Sequence, residues 1–144
     1  MDDCSDKNYQ ELKKFVTGLG AAAFGVCSFE QGGMGFAISI AIRLSRKVLD
    51  EIIDRPTRLY FYHYRQANNL LDHITMRLSN FIQEKGFDAV PIPASVIVDW
   101  EKQTAHLSHK NIAELSGIGW LGRSNLIVHP EYGSQIRLAT VLTE

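Results

Sequence analysis

Gly117, Gly119 and Gly122 bracket Trp120, and Arg123 and Ser124 follow directly. Within eight residues the chain offers close backbone approach, a flat apolar ring, a fixed cation and a hydroxyl. Taken literally the glycines spell G-x-G-x-x-G, which opens a helix after a buried strand and lays its first amides on a pyrophosphate. The flanks reverse that order. Asn111 to Ser116 reads as the end of a helix, and Leu126-Ile-Val128 reads as a strand halted by Pro130. The acidic partner expected about 20 residues on is missing, because positions 137 to 142 hold no carboxylate. Residues 117–122 therefore predict a helix-to-strand connection, where a nicotinamide nucleotide is not expected to bind.

A second concentration is Tyr60-Phe-Tyr-His-Tyr64. On a helix Tyr60 and Tyr64 share a face, with His63 beside them. Two readings stand side by side: an aromatic wall carrying hydroxyl and imidazole groups around a cofactor or substrate, or a half-buried helix start. The other histidines, His73, His106, His109 and His129, form no H-E-x-x-H and have no cysteine partners, so no zinc site is expected. No serine stands in a G-x-S-x-G elbow, and neither cysteine has a base nearby in sequence, which removes hydrolytic and thiol mechanisms. Cys4 reads as a surface thiol and Cys27 as a small core residue. An iron–sulfur cluster needs four thiolates, so none is expected in this chain.

These residues need a scaffold. Ser5 is a candidate N-cap, after which Tyr9, Leu12, Phe15, Val16 and Leu19 recur at helical spacing until Gly18 and Gly20 stop the helix. Ala21 to Phe29 reads as a strand buried on both sides, with small residues that admit another layer. Glu30 to Gly35 reads as a turn, whose glycines either reverse the chain or cradle a phosphate. Phe36, Ile38, Ile40 and Ile42 alternate with Ala37, Ser39 and Ala41, the period of a strand with a bulky face and a small face. The small face either packs closely on another element or leaves room for a flat ligand. Leu44 to Ile53 returns to helical spacing until Arg55-Pro56. A long helix then runs from Thr57 to about Lys85, with Leu70, Leu71, Ile74, Leu78, Phe81 and Ile82 inward and Gly86 as its stop. Phe87 to Pro93 predicts a short strand with no central ladder position beyond Val90. Residues 123–128 and 135–142 predict two strands joined through Pro130 to Gly133 as a hairpin closing the sheet.

At 144 residues and 45% hydrophobic, residues 1–144 predict a single domain with a substantial core. Fifteen basic against sixteen acidic residues leave no electrostatic footprint for nucleic acid or an anionic membrane. The acidic start at Met1-Asp-Asp-Cys-Ser-Asp6 is no signal sequence, and the apolar run from Leu19 to Phe29 is too short to span a bilayer, so a cytoplasmic protein is expected.

Gly117-Ile-Gly-Trp-Leu-Gly-Arg-Ser-Asn-Leu126, with Pro130-Glu-Tyr-Gly133 and Arg137-Leu138, resembles the end of the cobalamin-binding domain of epoxyqueuosine reductases. It is also similar to the matching part of corrinoid-dependent reductive dehalogenases, over residues 113 to 142. The resemblance implies an α+β fold, a mixed or antiparallel sheet flanked by helices, similar to the flavin nitroreductase scaffold. It also implies a corrinoid held without a protein histidine beneath the metal. Gly119, Trp120, Gly122, Arg123 and Ser124 would contact it, with Tyr60, His63 and Tyr64 as a further wall. The glycines suit close approach to a planar ligand, and the same residues also serve a turn with Gly122 at positive φ and Trp120 in the core. One broad cavity is expected between the 119–124 segment, the small face of the 36–42 strand and the Tyr60 to Tyr64 cluster. Epoxyqueuosine reductases carry a proton-donating aspartate in a D-S-A-P segment; Gln103-Thr-Ala-His106 stands opposite it, and Gln103 has no proton to give at neutral pH. In the dehalogenases a tyrosine does this, with no equivalent located here by motif. The family's ferredoxin-like segment would follow Glu144, so a separate ferredoxin-like donor is expected, and an exposed wall favours a homodimer. The other reading is a non-catalytic domain that binds another small molecule or flavin, or serves only in oligomerisation.

Overall fold

A computed structural model describes residues 3–31, 33–50, 58–93, 109–122, 127–133 and 135–144. The alternation read at 36–42 becomes β2 (Met34–Arg43), around which the other elements are laid. Ile38, Ile40 and Ile42 turn to one face and are buried there, while Phe36 near the strand end is 45% exposed. Covering the isoleucines are α1 (Asp3–Gly18), through Val16, Phe15, Leu12 and Tyr9, and α3 (Arg58–Glu84), through Ala67, Leu71, Ile74, Leu78 and Ile82. Each buried isoleucine contributes about 1.5–3 kcal/mol, so this face fixes the sheet to its helices. Phe15 of α1 stacks on Phe81 of α3 with centroids 4.3 Å apart. Leu70, expected inward, is 37% exposed, because the inward stripe passes through Leu71 and Ile74 instead.

The sheet is antiparallel throughout and runs β1-β2-β6-β3. A tight glycine turn links β1 (Ala23–Gln31) to β2, with Gly33 at φ 86°. β1 is an edge strand with both of its faces packed, Phe24 and Val26 in the cluster under α1 and Ala23 and Cys27 in clusters on the other side, while Ser28 and Glu30 near its end are exposed. Its small residues do admit another layer, since a Cβ on Gly25 would sit 2.5 Å from the Ser116 carbonyl oxygen. β3 (Ala89–Ile92) is the opposite edge and pairs only with β6 (Ile136–Thr143). Pro91 lies opposite Val141 there, one strand-edge position that a residue without an N–H can occupy.

The expected hairpin of 123–128 with 135–142 does not form. β6 runs between β2 and β3, eight residues in register with β2, whereas β5 (Ile127–Val128) pairs with β4 (Trp120–Leu121) in a separate two-stranded sheet. Pairing with β2 and β3 buries Ala139, Val141 and Leu142, which a terminal hairpin strand would leave half open. Between the two sheets lies α4 (His109–Leu115), and α2 (Arg46–Asp50) follows β2. Helix α1 starts at Asp3, two residues before the Ser5 cap read from the sequence. Helices α1, α3 and α4 end alike, on Gly20, Gly86 and Gly117 at positive φ. In α4 the Ile118 N–H donates to the Ala113 carbonyl at 3.0 Å and the Gly117 N–H to the Glu114 carbonyl at 3.2 Å, the paired bonds of a Schellman cap.

Candidate functional site

The cap at Gly117 sends Ile118 back into a cluster with Ala41, Ala113, Ile127 and Ile136. The following Gly119 lies against the Val128 carbonyl, so closely that a Cβ would overlap its oxygen. This clasp sets the β4–β5 pairing, Trp120 opposite Val128 and Leu121 opposite Ile127. Glu114 braces it from the helix, its Oε2 accepting the Leu121 N–H at 2.7 Å. Leu121 packs inward on the Ile118 cluster, so Trp120, one residue earlier on an alternating strand, faces out and is 50% exposed. Leu115, at the end of α4, is 65% exposed. The connection follows a helix and leads into a strand, as the sequence predicts, and it is not a nucleotide fingerprint. The left-handed position found in the motif is Gly117, at φ 85°. Arg123 and Ser124 lie outside the described residues, as do Gln103 to His106.

The tyrosine cluster opens α3. Tyr60 and Tyr64 are neighbours, centroids 5.7 Å apart, with Phe61 5.9 Å from Tyr60. His63 is committed elsewhere: its Nε2 accepts the Ser45 N–H at 2.8 Å. Ser45 in turn caps α2, its Oγ accepting the Val48 N–H at 3.4 Å. Tyr64 lies under a cation that sequence reasoning missed as a site element. The Arg137 guanidinium is 3.9 Å from the Tyr64 centroid and donates to Asn68 Oδ1 at 3.1 Å. Arg137 stands opposite Ile42 in the ladder, hence on the face covered by α3.

That placement overturns the single cavity expected between the three segments. Ala37, Ser39 and Ala41, the small face of β2, are fully buried, with Ala37 packed on Ile112 and Ala41 on Ala113 of α4. The small face thus receives a helix and not a ligand. The glycine connection packs on this same side, while Tyr60 and Tyr64 stand on the other. Alternation in β2 reveals two faces but not what covers each.

His109, three residues after His106 and given no role by the sequence, ties three elements together. Its Nδ1 lies 2.8 Å from Thr140 Oγ1 on β6 and its Nε2 3.0 Å from the Pro93 carbonyl oxygen. A neutral ring with Nε2–H donating to Pro93 and Nδ1 accepting from Thr140 satisfies both. Burial holds its pKa below the usual 6.5; Arg137 pushes the same way, and the Pro93 bond and Asp72 oppose. Cys27 is a free, half-buried thiol whose pKa burial raises. Among the described residues no three His, Cys, Asp or Glu side chains are placed to hold a metal ion, and no helix is long and apolar enough to cross a membrane.

No family model matches the chain. Over 40 residues, 28% of this chain and 11% of the relative, it is 45% identical to an epoxyqueuosine reductase of Listeria monocytogenes serovar 1/2a. The catabolic reductive dehalogenase NpRdhA superposes with a TM-score of 0.80 at 13% identity, covering 92% of this chain and 20% of its own. An epoxyqueuosine reductase solved with an epoxyqueuosine-modified tRNA stem loop gives 0.67 at 17% identity, over 95% of this chain and 45% of that one. A Bacillus subtilis epoxyqueuosine reductase, its catalytic loop swung out of the active site, gives 0.66 at 16% identity with the same coverage of 95% and 45%. The chain spans less than half the length of these proteins. Over nearly all of its described length it therefore has the α+β fold of a segment of epoxyqueuosine reductases and reductive dehalogenases, as the resemblance in its glycine connection implies.

Proposed function

We propose that this chain is a corrinoid-binding domain of a reductase, with cobalamin as the cofactor. The observation that carries the reading is Trp120, half exposed on a hairpin that the chain braces internally through Gly119, Val128 and Glu114. A large ring left in water on a rigid mount is the arrangement of a stacking surface. A reductive dehalogenase with this fold, TM-score 0.68 at 18% identity, is discussed in terms of B12-dependent dehalogenation. The residues fit such a ligand in part. Trp120 supplies the flat apolar contact, and we assign the polar contacts to Gly122, Arg123 and Ser124, which follow it in sequence. Gly119 acts at one remove, by letting β4 close on β5. His63 is engaged by Ser45, and Tyr60 and Tyr64 belong to the far face, so we assign them no contact with the ring.

A bound corrinoid would supply a redox-active cobalt that accepts electrons and delivers them to a substrate. The protein's part is to seat it, orient it and exclude water from one side. Two cysteines cannot ligate a four-thiolate cluster, so in this reading a ferredoxin-like segment or partner supplies the electrons, and the half-exposed Trp120 offers it, or a second copy, an apolar contact. Thermal denaturation with added hydroxocobalamin tests the reading, since a ligand that binds only the native state raises the melting temperature. A rise with hydroxocobalamin and none with flavin mononucleotide is expected. A rise with the flavin alone transfers the site to the flavin reading, and no rise with either removes the cofactor function.

A further inference from the structure

Where β2 leaves the sheet for α2, an open groove of about 420 Å³ is lined by Arg43, Arg46, Glu131, Tyr132, Gly133 and Gln135. Backbone bonds fix both of its walls. On one, the Leu44 N–H donates to the Gln135 carbonyl at 2.9 Å, and Ser45 is held by His63 as described. On the other, His129 and Gly133 exchange backbone bonds of 2.7 and 2.9 Å. Within that turn His129 Nδ1 accepts the N–H of Glu131 at 3.0 Å and of Tyr132 at 3.2 Å. The turn is a rigid unit.

Three side chains are layered on it. The His129 ring stacks on Tyr132, centroids 4.7 Å apart and planes inclined by 17°, and the Arg43 guanidinium lies 5.0 Å from the Tyr132 centroid. Arg43 is thus positioned by an aromatic ring, and among the described residues no carboxylate pairs with it. Arg46 meets Asp50 only at 4.0 Å, with side chains 75% and 62% exposed, a pair that water screens to little. Two guanidiniums line one groove, and among the described residues their hydrogen-bonding edges are largely unspent.

We propose that this groove binds a phosphate monoester of a small, hydroxyl-bearing molecule. A guanidinium presents a planar fork of donors that matches phosphate oxygens, and two of them match the nearly two charges of a monoester. A diester, with one charge, uses only half of the site. Glu131 on the opposite wall repels a bare oxyanion but accepts hydrogen bonds from hydroxyl groups, which favours an ester of a polyol over free phosphate. The volume suits a small ligand at the low end of the usual range of about 300–1,000 Å³. Trp120 is not among the residues that line the groove, and the proposal does not depend on the corrinoid reading.

Ribose 5-phosphate, inorganic phosphate and ribose, each titrated into the chain without corrinoid, test this through the amide NMR shifts of residues 43–46 and 129–133. Ribose 5-phosphate should shift these amides at millimolar concentration, inorganic phosphate more weakly, and ribose not at all. The Arg43→Ala, Arg46→Ala double variant, altered only at exposed positions, should lose about tenfold or more in affinity while keeping its other shifts. Glu131→Gln should narrow the gap between ribose 5-phosphate and phosphate. Unmoved amides, equal affinity for the two phosphates, or no loss in the double variant would each overturn the proposal. A short oligoribonucleotide that binds these amides more tightly than ribose 5-phosphate would replace the monoester with a nucleic-acid backbone. Because no corrinoid is present, failure here leaves the Trp120 reading untouched, and failure with hydroxocobalamin leaves this site untouched.

Discussion

Gly119 and Val128 meet backbone to backbone: the Gly119 Cα lies against the Val128 carbonyl, with no space for a Cβ between them. The glycine is required by the chain's own hairpin, independently of any ligand. Gly119→Ala should therefore cost about 1–3 kcal/mol, the usual penalty of overpacking, read as a lower urea midpoint. It should also weaken ligand binding, although residue 119 offers a ligand no side chain, because Trp120 rides on the same strand. Stability equal to the wild type would show that the hairpin can shift freely.

Gly117 is required for a different reason, its φ of 85°. A Cβ there meets nothing within 4 Å, so the cost is conformational and not steric. Gly117→Ala should lose on the order of 1 kcal/mol, and Gly117→Asn less, since asparagine tolerates the left-handed region. Equal losses for the two variants would contradict a cap governed by φ.

His109 predicts a pH dependence. Burial holds its folded pKa below the unfolded 6.5, so above that pH the ring is neutral in both states and its two bonds are intact. As pH falls below 6.5 the unfolded chain takes up the proton first, and stability declines until the folded ring titrates too. Unfolding free energies measured between about pH 5 and 8 should show this acid-side loss reduced in His109→Gln. The variant should also be weaker by about 1–3 kcal/mol at neutral pH if Thr140 or the Pro93 carbonyl is left unpaired. An identical acid-side slope would move the effect to another group.

Local patterns carried much of this fold. The buried stripe Tyr9, Leu12, Phe15, Val16, the alternation through Ile38, Ile40 and Ile42, and the glycine stops at 20 and 86 all reappear, because each depends on residues a few positions apart. Strand partners do not. Ile136 to Thr143 pairs with residues about a hundred positions earlier, and its own pattern says only that it is buried, not that it is central. The same limit hid the site. Nothing in the sequence shows that α4 fills the small face of β2, or that Tyr64 is taken by Arg137 and His63 by Ser45. Trp120 was legible as a candidate, but its outward direction is set by Leu121 packing inward on Ile118. Arg43 over Tyr132 had no sequence signal, since the two stand far apart in the chain.

The central claim, that Trp120 is the face on which a corrinoid is held, is tested most directly by titrating the chain with cob(II)alamin and following the visible spectrum of the cofactor. Wild-type protein should perturb the spectrum saturably. Trp120→Ala, altered at a half-exposed ring, should keep its fold and lose at least about tenfold in affinity, or about 1.4 kcal/mol. A spectrum unchanged by the wild-type chain, or a titration identical in the two proteins, would contradict the account.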